Sequence, residues 1–304
     1  MPLAPPSPAA LPAEARAAVL AWYDARGRAL AFRGTRDPYA ILVSEVMAQQ
    51  TQISRVVDAW SRFLERFPTV AALAAATPAD VLRAWRGMGY DRRALNLHRA
   101  AQVIVAEHGG QVPRDLAALE RLPGIGPYTA RAVAALAFGI AVGAVDTNVR
   151  RVLGRVLGGR DGLASGLLQA AADASVDPAR PGDWTHAVMD VGATLCRPTR
   201  PRCEECPLVG WCRFAAQAEG GPALRPPTGA DRQAREPFRA STRWLRGRIV
   251  DQLRDADGAS WTYLEAPIGD HDDAAIEAAL GALARDGIVE LDPIATRRAR
   301  LAMA

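Results

Sequence analysis

The 304-residue sequence predicts an all-α protein that ends in a small unit of helices and a β-hairpin. Apolar residues recur at helical spacing from residue 13 to about residue 215, and no convincing strand pattern interrupts them. Glycine and proline stand where the periodic stretches begin and end, as is typical of helix boundaries. After Cys212 the composition changes, which separates the helical region from the C-terminal residues.

The predicted helices follow one another along this region. The first lies in residues 13–28, with Gly27 as its expected end. Residues 37–67 are long and apolar-periodic, and we expect two helices broken near Thr51. Thr77 is an N-cap type that begins another helix. Further helices are expected in residues 92–110, which end in a glycine pair, and in 115–122, 128–139 and 148–157.

The C-terminal region has a different organisation. Residues 216–240 are rich in Gly, Pro and Ala, which predicts a linker. Beyond it, 241–256 and 272–291 form two amphipathic stretches, and the tail 288–304 has the pattern of a short hairpin. Two helices followed by a β-wing predict a small winged-helix-like domain over residues 241–304.

Composition restricts the class of protein. Hydrophobic residues make up 49% of the chain, enough for a packed core, so wholesale disorder is excluded. The net charge of +4 permits a polyanionic partner. All 37 basic residues are arginine, and the chain contains no lysine. No apolar run reaches the roughly 18 residues of a membrane span, and the N-terminus lacks a secretory signal pattern, so we expect a soluble intracellular protein.

Four cysteines form the first chemical motif. They follow the spacing C-x6-C-x2-C-x5-C, and no other cysteine occurs. Clustered thiols at short spacing predict one metal centre rather than a disulfide framework. Ligand type alone leaves Zn²⁺ and a [4Fe–4S] cluster open. The predicted ligands are Cys196, Cys203, Cys206 and Cys212.

The stretch LPGIG forms the second motif. Gly124 and Gly126 permit a sharp turn between two helices and leave backbone N–H groups unobstructed, and Pro127 suits the first turn of the next helix. A helix N-terminus adds partial positive charge, so the turn is suited to bind a phosphate. An ordinary inter-helix turn is the alternative. The position of the motif 20 residues before VDTNVRRVLGR and about 70 before the cysteine loop disfavours that alternative.

Together these motifs resemble the endonuclease III superfamily of DNA glycosylases over residues 16–215. The stretches SEVMAQQTQ, FPTVAALAAA, RGMGYDRRALNLHRAA and HAVMDVGATLC are most similar to adenine-specific mismatch glycosylases. The resemblance implies a helix-hairpin-helix glycosylase fold, with a six-helix barrel over 31–140 and an iron–sulfur cluster domain from 1–30 and 141–215. It also implies that the four cysteines hold a [4Fe–4S] cluster and that the hairpin binds a DNA phosphate.

The resemblance further implies a pair of catalytic carboxylates. Breaking an N-glycosidic bond requires a proton for the leaving base and a negative charge near the sugar cation, as in glycoside hydrolysis. In the family pattern Glu45 is the acid and Asp146 stabilises or captures the sugar, with Tyr90 and Asn148 in support of Asp146. Taken singly, Glu45 could be a helix-surface carboxylate and Asp146 a helix N-cap.

The same pattern implies a set of DNA contacts. The target base must leave the duplex, and Gln50 and Thr51 match positions that insert into the gap. At the position of Tyr128, bifunctional relatives carry a lysine that cuts the strand through an imine, which tyrosine cannot form. We therefore expect base removal without efficient strand cleavage. The expected DNA-binding residues are Arg33, Gln50, Thr51, Gly124, Gly126 and Tyr128.

Three departures from the family pattern bear on which base the protein removes and which base it accepts opposite. Phe32 replaces a tryptophan, Ala48 a leucine and Asp91 a tyrosine of the pattern. A tyrosine at Tyr128 also resembles thymine- or uracil-removing mismatch glycosylases, which is the alternative function. An inactive DNA-binding scaffold is an alternative of another class. Residues 216–304 are too short for the Nudix-like domain of many adenine glycosylases. Three arginines on one predicted helix of this region could contact DNA instead or form a solvated face: Arg243, Arg246 and Arg248.

The sequence thus predicts a monofunctional DNA glycosylase that removes adenine opposite guanine or 8-oxoguanine. Its expected partner is double-stranded DNA with a mismatched or oxidised base pair. We expect a monomer without membrane association, in the bacterial cytoplasm and at the nucleoid when bound to DNA.

Overall fold

The computed structural model describes residues 10–159, 163–218, 237–256 and 260–303, which are mostly helical as predicted. No helix among them is both long and apolar enough to cross a membrane. The helices are α1 (Ala13–Arg26), α2 (Pro38–Ala48), α3 (Ile53–Arg66), α4 (Val70–Ala74), α5 (Pro78–Ala84), α6 (Arg92–His108), α7 (Leu116–Arg121), α8 (Pro127–Phe138), α9 (Thr147–Gly158), α10 (Ser165–Ala174), α11 (Pro181–Asp190), α12 (Arg213–Ala218), α13 (Thr242–Asp255) and α14 (Asp273–Arg285).

Local sequence signals determine several of these boundaries. The predicted break near Thr51 is confirmed, since α2 ends at Ala48 and α3 begins at Ile53. The Thr77 hydroxyl accepts a hydrogen bond from the backbone N–H of Asp80 at 3.1 Å and so caps α5, a contact that typically contributes about 1 kcal/mol. At the other end of a helix, α6 stops where the next residue takes a left-handed conformation that glycine adopts easily.

The described chain divides into two compact units, each discontinuous in sequence. The first unit comprises residues 10–45, 114–121, 125–159 and 163–218, and the second comprises 46–113, 122–124, 237–256 and 260–303. In the first unit, α1, α9, α10 and α11 enclose a core of small and branched apolar side chains. Buried members of that core include Val19, Leu153, Leu168, Trp184 and Val188.

In the second unit, helices α3 to α6 pack around an aromatic cluster. The rings of Phe63 and Phe67 lie 5.1 Å apart, and those of Phe63 and Trp85 lie 5.8 Å apart, both edge to face. Edge-to-face pairs of this kind are favourable because the positive ring edge meets the negative ring face. Trp85 and Phe63 are fully buried, so this cluster anchors the loop that follows α5.

The rest of the second unit is the C-terminal subdomain, residues 237–256 and 260–303. It contains α13 and α14 and the predicted hairpin, which is formed by β2 (Val289–Leu291) and β3 (Arg298–Leu301). A third strand, β1 (Thr262–Tyr263), was not predicted because it is only two residues long; the antiparallel sheet has the order β1-β3-β2. The predicted linker, 216–240, lies mostly outside the described residues.

Candidate active site

Glu45 is a buried carboxyl in the first unit. It lies on α2 among apolar residues, and its exposed fraction is only 8%. Burial raises the pKa of Glu45 to about 7, and the nearby charge of Asp146 also raises it, whereas a hydrogen bond with Tyr128 and the charge of Arg33 lower it. The interpretation of Glu45 as a helix-surface carboxylate is therefore wrong. A carboxyl group with a pKa near 7 can hold or release a proton at physiological pH.

Tyr128 stands beside this carboxyl group at the start of α8. Its hydroxyl hydrogen-bonds the Glu45 side chain and lies 3.9 Å from the sulfur of Met189. Burial, followed by the negative charges of Glu45 and Asp146, raises the pKa of Tyr128 well above its usual value. The phenol is therefore protonated at physiological pH and can donate a hydrogen bond to the glutamate.

Asp146 caps the N-terminus of α9. One carboxylate oxygen, Oδ1, accepts from the backbone N–H of Val149 at 2.7 Å, and Oδ2 accepts from the Asn148 side-chain amide at 2.8 Å. The N-cap that the sequence allowed as an alternative is thus present in the structure. Because the same carboxylate lies near Glu45, capping fixes its orientation and does not exclude a role in chemistry.

A chain of hydrogen bonds extends from Asp146 to the first cysteine. The guanidinium of Arg151 donates to the side-chain oxygen of Asn148 at 2.8 Å, to the carbonyl of Gly192 at 2.7 Å and to the carbonyl of Cys196 at 2.6 Å. Gly192 lies in a widened π-type helical turn, Val191–Leu195, that continues α11. A Cβ at Gly192 would lie 2.5 Å from Cβ of Asn148, so only glycine permits this approach.

A buried ion-pair cluster includes Arg33, whose charge acts on Glu45. Asp190 is fully buried, and its two oxygens accept from both terminal nitrogens of Arg33 at 2.8 Å and from Nε of Arg28 at 2.7 Å. These hydrogen bonds hold the pKa of Asp190 below its usual value in spite of burial. The Arg33 side chain is only 9% exposed, and a phosphate contact would require this pair to break. The pair with Asp190 therefore disfavours the expected contact of Arg33 with DNA.

A cavity of about 340 Å³ opens next to Glu45. This volume lies at the lower end of the roughly 300–1,000 Å³ that small-molecule sites occupy. Phe32 and Ile41 provide apolar surface, and Arg33 and His186 provide polar atoms. Burial, with the charge of Arg33, lowers the pKa of His186 to about 3, so its imidazole is neutral. Two more arginines and an aspartate also line the cavity, so it is a polar, charged compartment with Glu45 in its wall.

The hairpin has the expected local geometry. Gly124 has a φ of +77°, and a Cβ there would lie 2.7 Å from Cβ of Asn96. Gly126 precedes α8 as its N-cap, with an extended backbone, and Pro127 is the first helical residue. Both glycines are exposed, so their N–H groups are accessible to a ligand.

The expected DNA-contact residues Gln50 and Thr51 lie in the second unit, as does Tyr90. Gln50 and Tyr90 have φ values of +56° and +49°, which are uncommon for residues other than glycine. One guanidinium, that of Arg93, connects their two loops. It donates to the carbonyls of Met47 and Gln49 and to Oγ1 of Thr51, and also to the carbonyls of Met88 and Gly89, at 2.5 to 3.2 Å.

The four cysteines line one cavity at the edge of the first-unit core. A buried arginine, Arg155, contacts Sγ of Cys196 at 3.6 Å and donates to the carbonyl of Arg197 at 2.7 Å. Its guanidinium also lies over the ring of Phe214, 4.8 Å from the centroid. In the part of the chain that the structure describes, no set of three or more His, Cys, Asp or Glu side chains has the arrangement that holds a metal ion.

Several of these residues were not found by sequence reasoning. Asp190, Arg28, Arg93 and Arg151 each join segments far apart in the chain. The one available signal was Asp190 itself, which stands inside the apolar run AVMDVG, where an unpaired charge would be unfavourable. Nothing in the sequence identified its partners.

Comparison with known proteins identifies the family of this chain. The family model "HhH-GPD superfamily base excision DNA repair protein" matches residues 43–170. The chain is 43% identical to the adenine DNA glycosylase of Mycolicibacterium smegmatis over 276 residues, 90% of this chain and 91% of the relative. It is 42% identical to the adenine DNA glycosylase of Mycobacterium tuberculosis over 244 residues, 79% and 78% of the two chains. A solved thermostable thymine-DNA glycosylase aligns with a TM-score of 0.63 and 29% identity over 66% of this chain and 95% of that one. This chain belongs to the helix-hairpin-helix superfamily of base-excision DNA repair proteins that includes endonuclease III.

Proposed function

We propose that this protein is a DNA glycosylase that hydrolyses the N-glycosidic bond of adenine mispaired with guanine or 8-oxoguanine. One observation carries the proposal: a buried glutamic acid with a pKa of about 7 lies beside a carboxylate held by a helix N-terminus. Two carboxyl groups in such different environments suit an acid and a charge stabiliser. The identity to two adenine DNA glycosylases supports adenine as the base.

The mechanism assigns one role to each group. Glu45 in its protonated form transfers a proton to a ring nitrogen of the flipped adenine as the bond from C1′ to the base breaks and its electron pair leaves with the base. Asp146 stabilises the oxocarbenium-like sugar, or bonds to C1′ until water replaces it. Asn148 holds one oxygen of Asp146, and Tyr128 donates to Glu45. The expected supporting role of Tyr90 stays a prediction.

We further propose that the enzyme is monofunctional. A lyase step needs an amine that forms an imine with the sugar, and the 304 residues contain no lysine side chain. Tyr128, at the matching position, is held as a protonated phenol. The product is then free adenine and an intact strand with an abasic site.

We propose that the four-cysteine cavity holds a [4Fe–4S] cluster, in which each thiol would bind a different iron, so that the four need not converge on one ion. Its donor set consists only of thiols, and all four line the same cavity. Cys196, Cys203, Cys206 and Cys212 would hold the cluster, which would cross-link this loop through four Fe–S bonds. Arg151 and Arg155 would stay beside Cys196, where their positive charges favour thiolate ligands.

The expected partner is duplex DNA that contains the mismatch. Exposed amide groups at Gly124 and Gly126 support a phosphate contact, and Gln50 with Thr51 remains the proposed insertion into the gap. We expect a monomer that acts at the nucleoid in the cytoplasm, because its proposed substrate is chromosomal DNA.

The test is single-turnover base release from duplexes with A:8-oxoguanine, A:G, T:G or U:G, each read with and without hot alkali. Alkali-dependent product from the adenine duplexes alone is the expected result. Glu45→Gln and Asp146→Asn should each reduce it at least about 100-fold, as loss of an acid–base group does, whereas Glu107→Gln, which removes an exposed carboxylate of α6, should not.

Other outcomes would contradict the proposal in distinct ways. Product from T:G or U:G without product from adenine would favour the alternative, a thymine or uracil glycosylase. Binding without product from any duplex would indicate an inactive scaffold. Strand breaks without alkali would refute monofunctionality.

A further inference from the structure

The C-terminal subdomain is fixed to the rest of the second unit by a buried arginine. Arg254, near the end of α13, has a side chain only 3% exposed. It donates to the carbonyl of Leu82 at 2.9 Å, to Asp91 at 2.5 Å and to Asp251 at 2.9 Å. A buried guanidinium is favourable only when its charge and N–H groups are paired, so these contacts specify where the subdomain docks.

The docking point is the loop that carries Tyr90. Gly87, Gly89 and Tyr90 all have positive φ values, +83°, +66° and +49°. The indole of Trp85 donates to the carbonyl of Gly89 at 3.1 Å. A bulky residue such as Tyr90 keeps a left-handed backbone conformation only where its surroundings hold it there. Asp91, the partner of Arg254, directly follows Tyr90 in the chain. The ion pair with Arg254 therefore restrains the strained residue from its C-terminal side.

A second arginine of the subdomain contacts Tyr90 itself. Arg243, in the first turn of α13, places its guanidinium 4.3 Å from the centroid of the Tyr90 ring. Arg93 lies 5.5 Å from the same centroid. Tyr90 is nevertheless 41% exposed, and Arg243 is exposed and makes no ion pair among the described residues. An accessible aromatic ring beside an unpaired guanidinium is suited to stack on a base and to attract a phosphate.

A further ion-pair cluster holds the other side of the docked subdomain. Asp286, after α14, accepts from Arg246 of α13 and also pairs with Arg92 of α6 at 3.7 Å. Of the three arginines that the sequence places on this helix, Arg246 is thus engaged within the protein, and Arg248 pairs with Asp251. Arg243 is the member of that set that remains accessible for a ligand.

We propose that the C-terminal subdomain is part of the DNA-recognition surface: Arg254 fixes the Tyr90 loop through Asp91, and Arg243 contacts the DNA backbone beside Tyr90. The proposal rests on the proposed glycosylase function and deepens it. Asp91, the departure from the family pattern, is then the anchor for this subdomain. Arg243 is a DNA-contact residue, whereas Arg254 and Asp91 are positioning residues.

The first experiment compares Arg243→Gln with Arg285→Gln, which removes the same charge from an exposed site on α14 of the same subdomain. Binding to an A:8-oxoguanine duplex and to a fully paired duplex is measured by anisotropy from about 50 to 200 mM salt. Arg243→Gln should weaken mismatch binding about 3- to 10-fold and reduce the slope of log K against log salt by about 1. Arg243→Lys should recover the slope but not all of the affinity, because lysine stacks less well.

The second experiment tests the positioning role by hydrogen exchange of residues 86–91 in Arg254→Met and Arg254→Lys. Arg254→Met should speed exchange in this loop and reduce the preference for the mismatch over the paired duplex, and Arg254→Lys should restore part of both. A structural effect without positioning would lower the unfolding midpoint but leave that preference unchanged. If Arg254→Met fails to fold, the Arg243 comparison alone decides.

The two levels of the proposal fail in different ways. If the wild-type protein releases no adenine, the proposed function is wrong. If it releases adenine and Arg243→Gln matches Arg285→Gln in affinity and salt slope, the C-terminal subdomain does not contact the DNA there and the inference is wrong.

Discussion

Replacement of Glu45 by glutamine should stabilise the protein at alkaline pH while it removes the proposed acid. Glutamine has nearly the same shape and can still hydrogen-bond Tyr128, but it cannot ionise. The Glu45 pKa rises from an ordinary 4.5 to about 7 in the folded protein. At about 1.4 kcal/mol per pH unit, ionisation of this buried group destabilises the folded state by about 3 kcal/mol.

The direction of the change in stability with pH follows from proton binding by the folded and unfolded states. Below about pH 4.5 the carboxyl is protonated in both folded and unfolded states, so it contributes no pH dependence. Between about 4.5 and 7 the unfolded chain has released the proton and the folded protein has kept it, so stability falls as pH rises. Above about pH 7 the destabilisation is complete.

The assay is anaerobic urea unfolding of wild type and Glu45→Gln from pH 5 to pH 8. The two proteins should differ little at pH 5, and Glu45→Gln should be more stable by about 3 kcal/mol at pH 8. Tyr128→Phe serves as a second probe, because loss of its hydrogen bond should raise the Glu45 pKa further and extend the falling limb to higher pH. A stability difference that stays constant over the whole range would refute the buried-acid reasoning.

Three further substitutions test the supports of the site. Gly192→Ala should slow single-turnover base release about 10- to 100-fold, because the added Cβ would overlap the Asn148 side chain and displace it. Gly247→Ala is the control, since a Cβ there would meet no atom within 4 Å and should leave the rate unchanged. Equal rates for the two variants would contradict the positioning role of Gly192. Arg93→Lys should speed hydrogen exchange in both loops that it connects and weaken mismatch binding about 10-fold, because an ammonium cannot reach all of the carbonyls that the guanidinium fork contacts. Asp190→Asn should lower the unfolding free energy at pH 7 by about 3–5 kcal/mol, as it leaves buried arginine charge unpaired. The Asp190 pKa is lowered in the folded state, so this stabilisation is present above the usual 3.8 and lost as the pH falls through the folded value; a difference unchanged at pH 3 would contradict that assignment.

Sequence reasoning succeeded where a few neighbouring residues determine the structure. The break near Thr51, the cap at Thr77 and the helix that starts at Pro127 follow from side-chain and backbone rules that operate over three or four residues. The N-cap conformation of Asp146 belongs to the same class. Such signals can be read from one sequence because the interacting groups are adjacent in it.

The features that sequence reasoning did not find depend on contacts over long sequence distances. Arg33 and Asp190 are 157 residues apart, and Arg254 and Asp91 are 163 apart. Gln50 and Tyr90 adopt left-handed backbone conformations that no local preference indicates, and Arg93 holds both loops from outside. Which charged residues pair over such distances is determined only when the chain has folded. The one indication in a single sequence is a charged residue inside an apolar run, which needs a partner when it is buried.

The long sequence distance between residues that contact each other has a consequence during synthesis of the chain. The backbone N–H of Leu11 bonds Oγ of Ser175, 164 residues later, and α1 covers the first-unit core with Val19 and Leu20. At roughly 5–20 residues per second, the ribosome needs on the order of 10–30 s to supply that partner. For this interval the nascent α1 lacks part of the core that covers its apolar face in the folded protein.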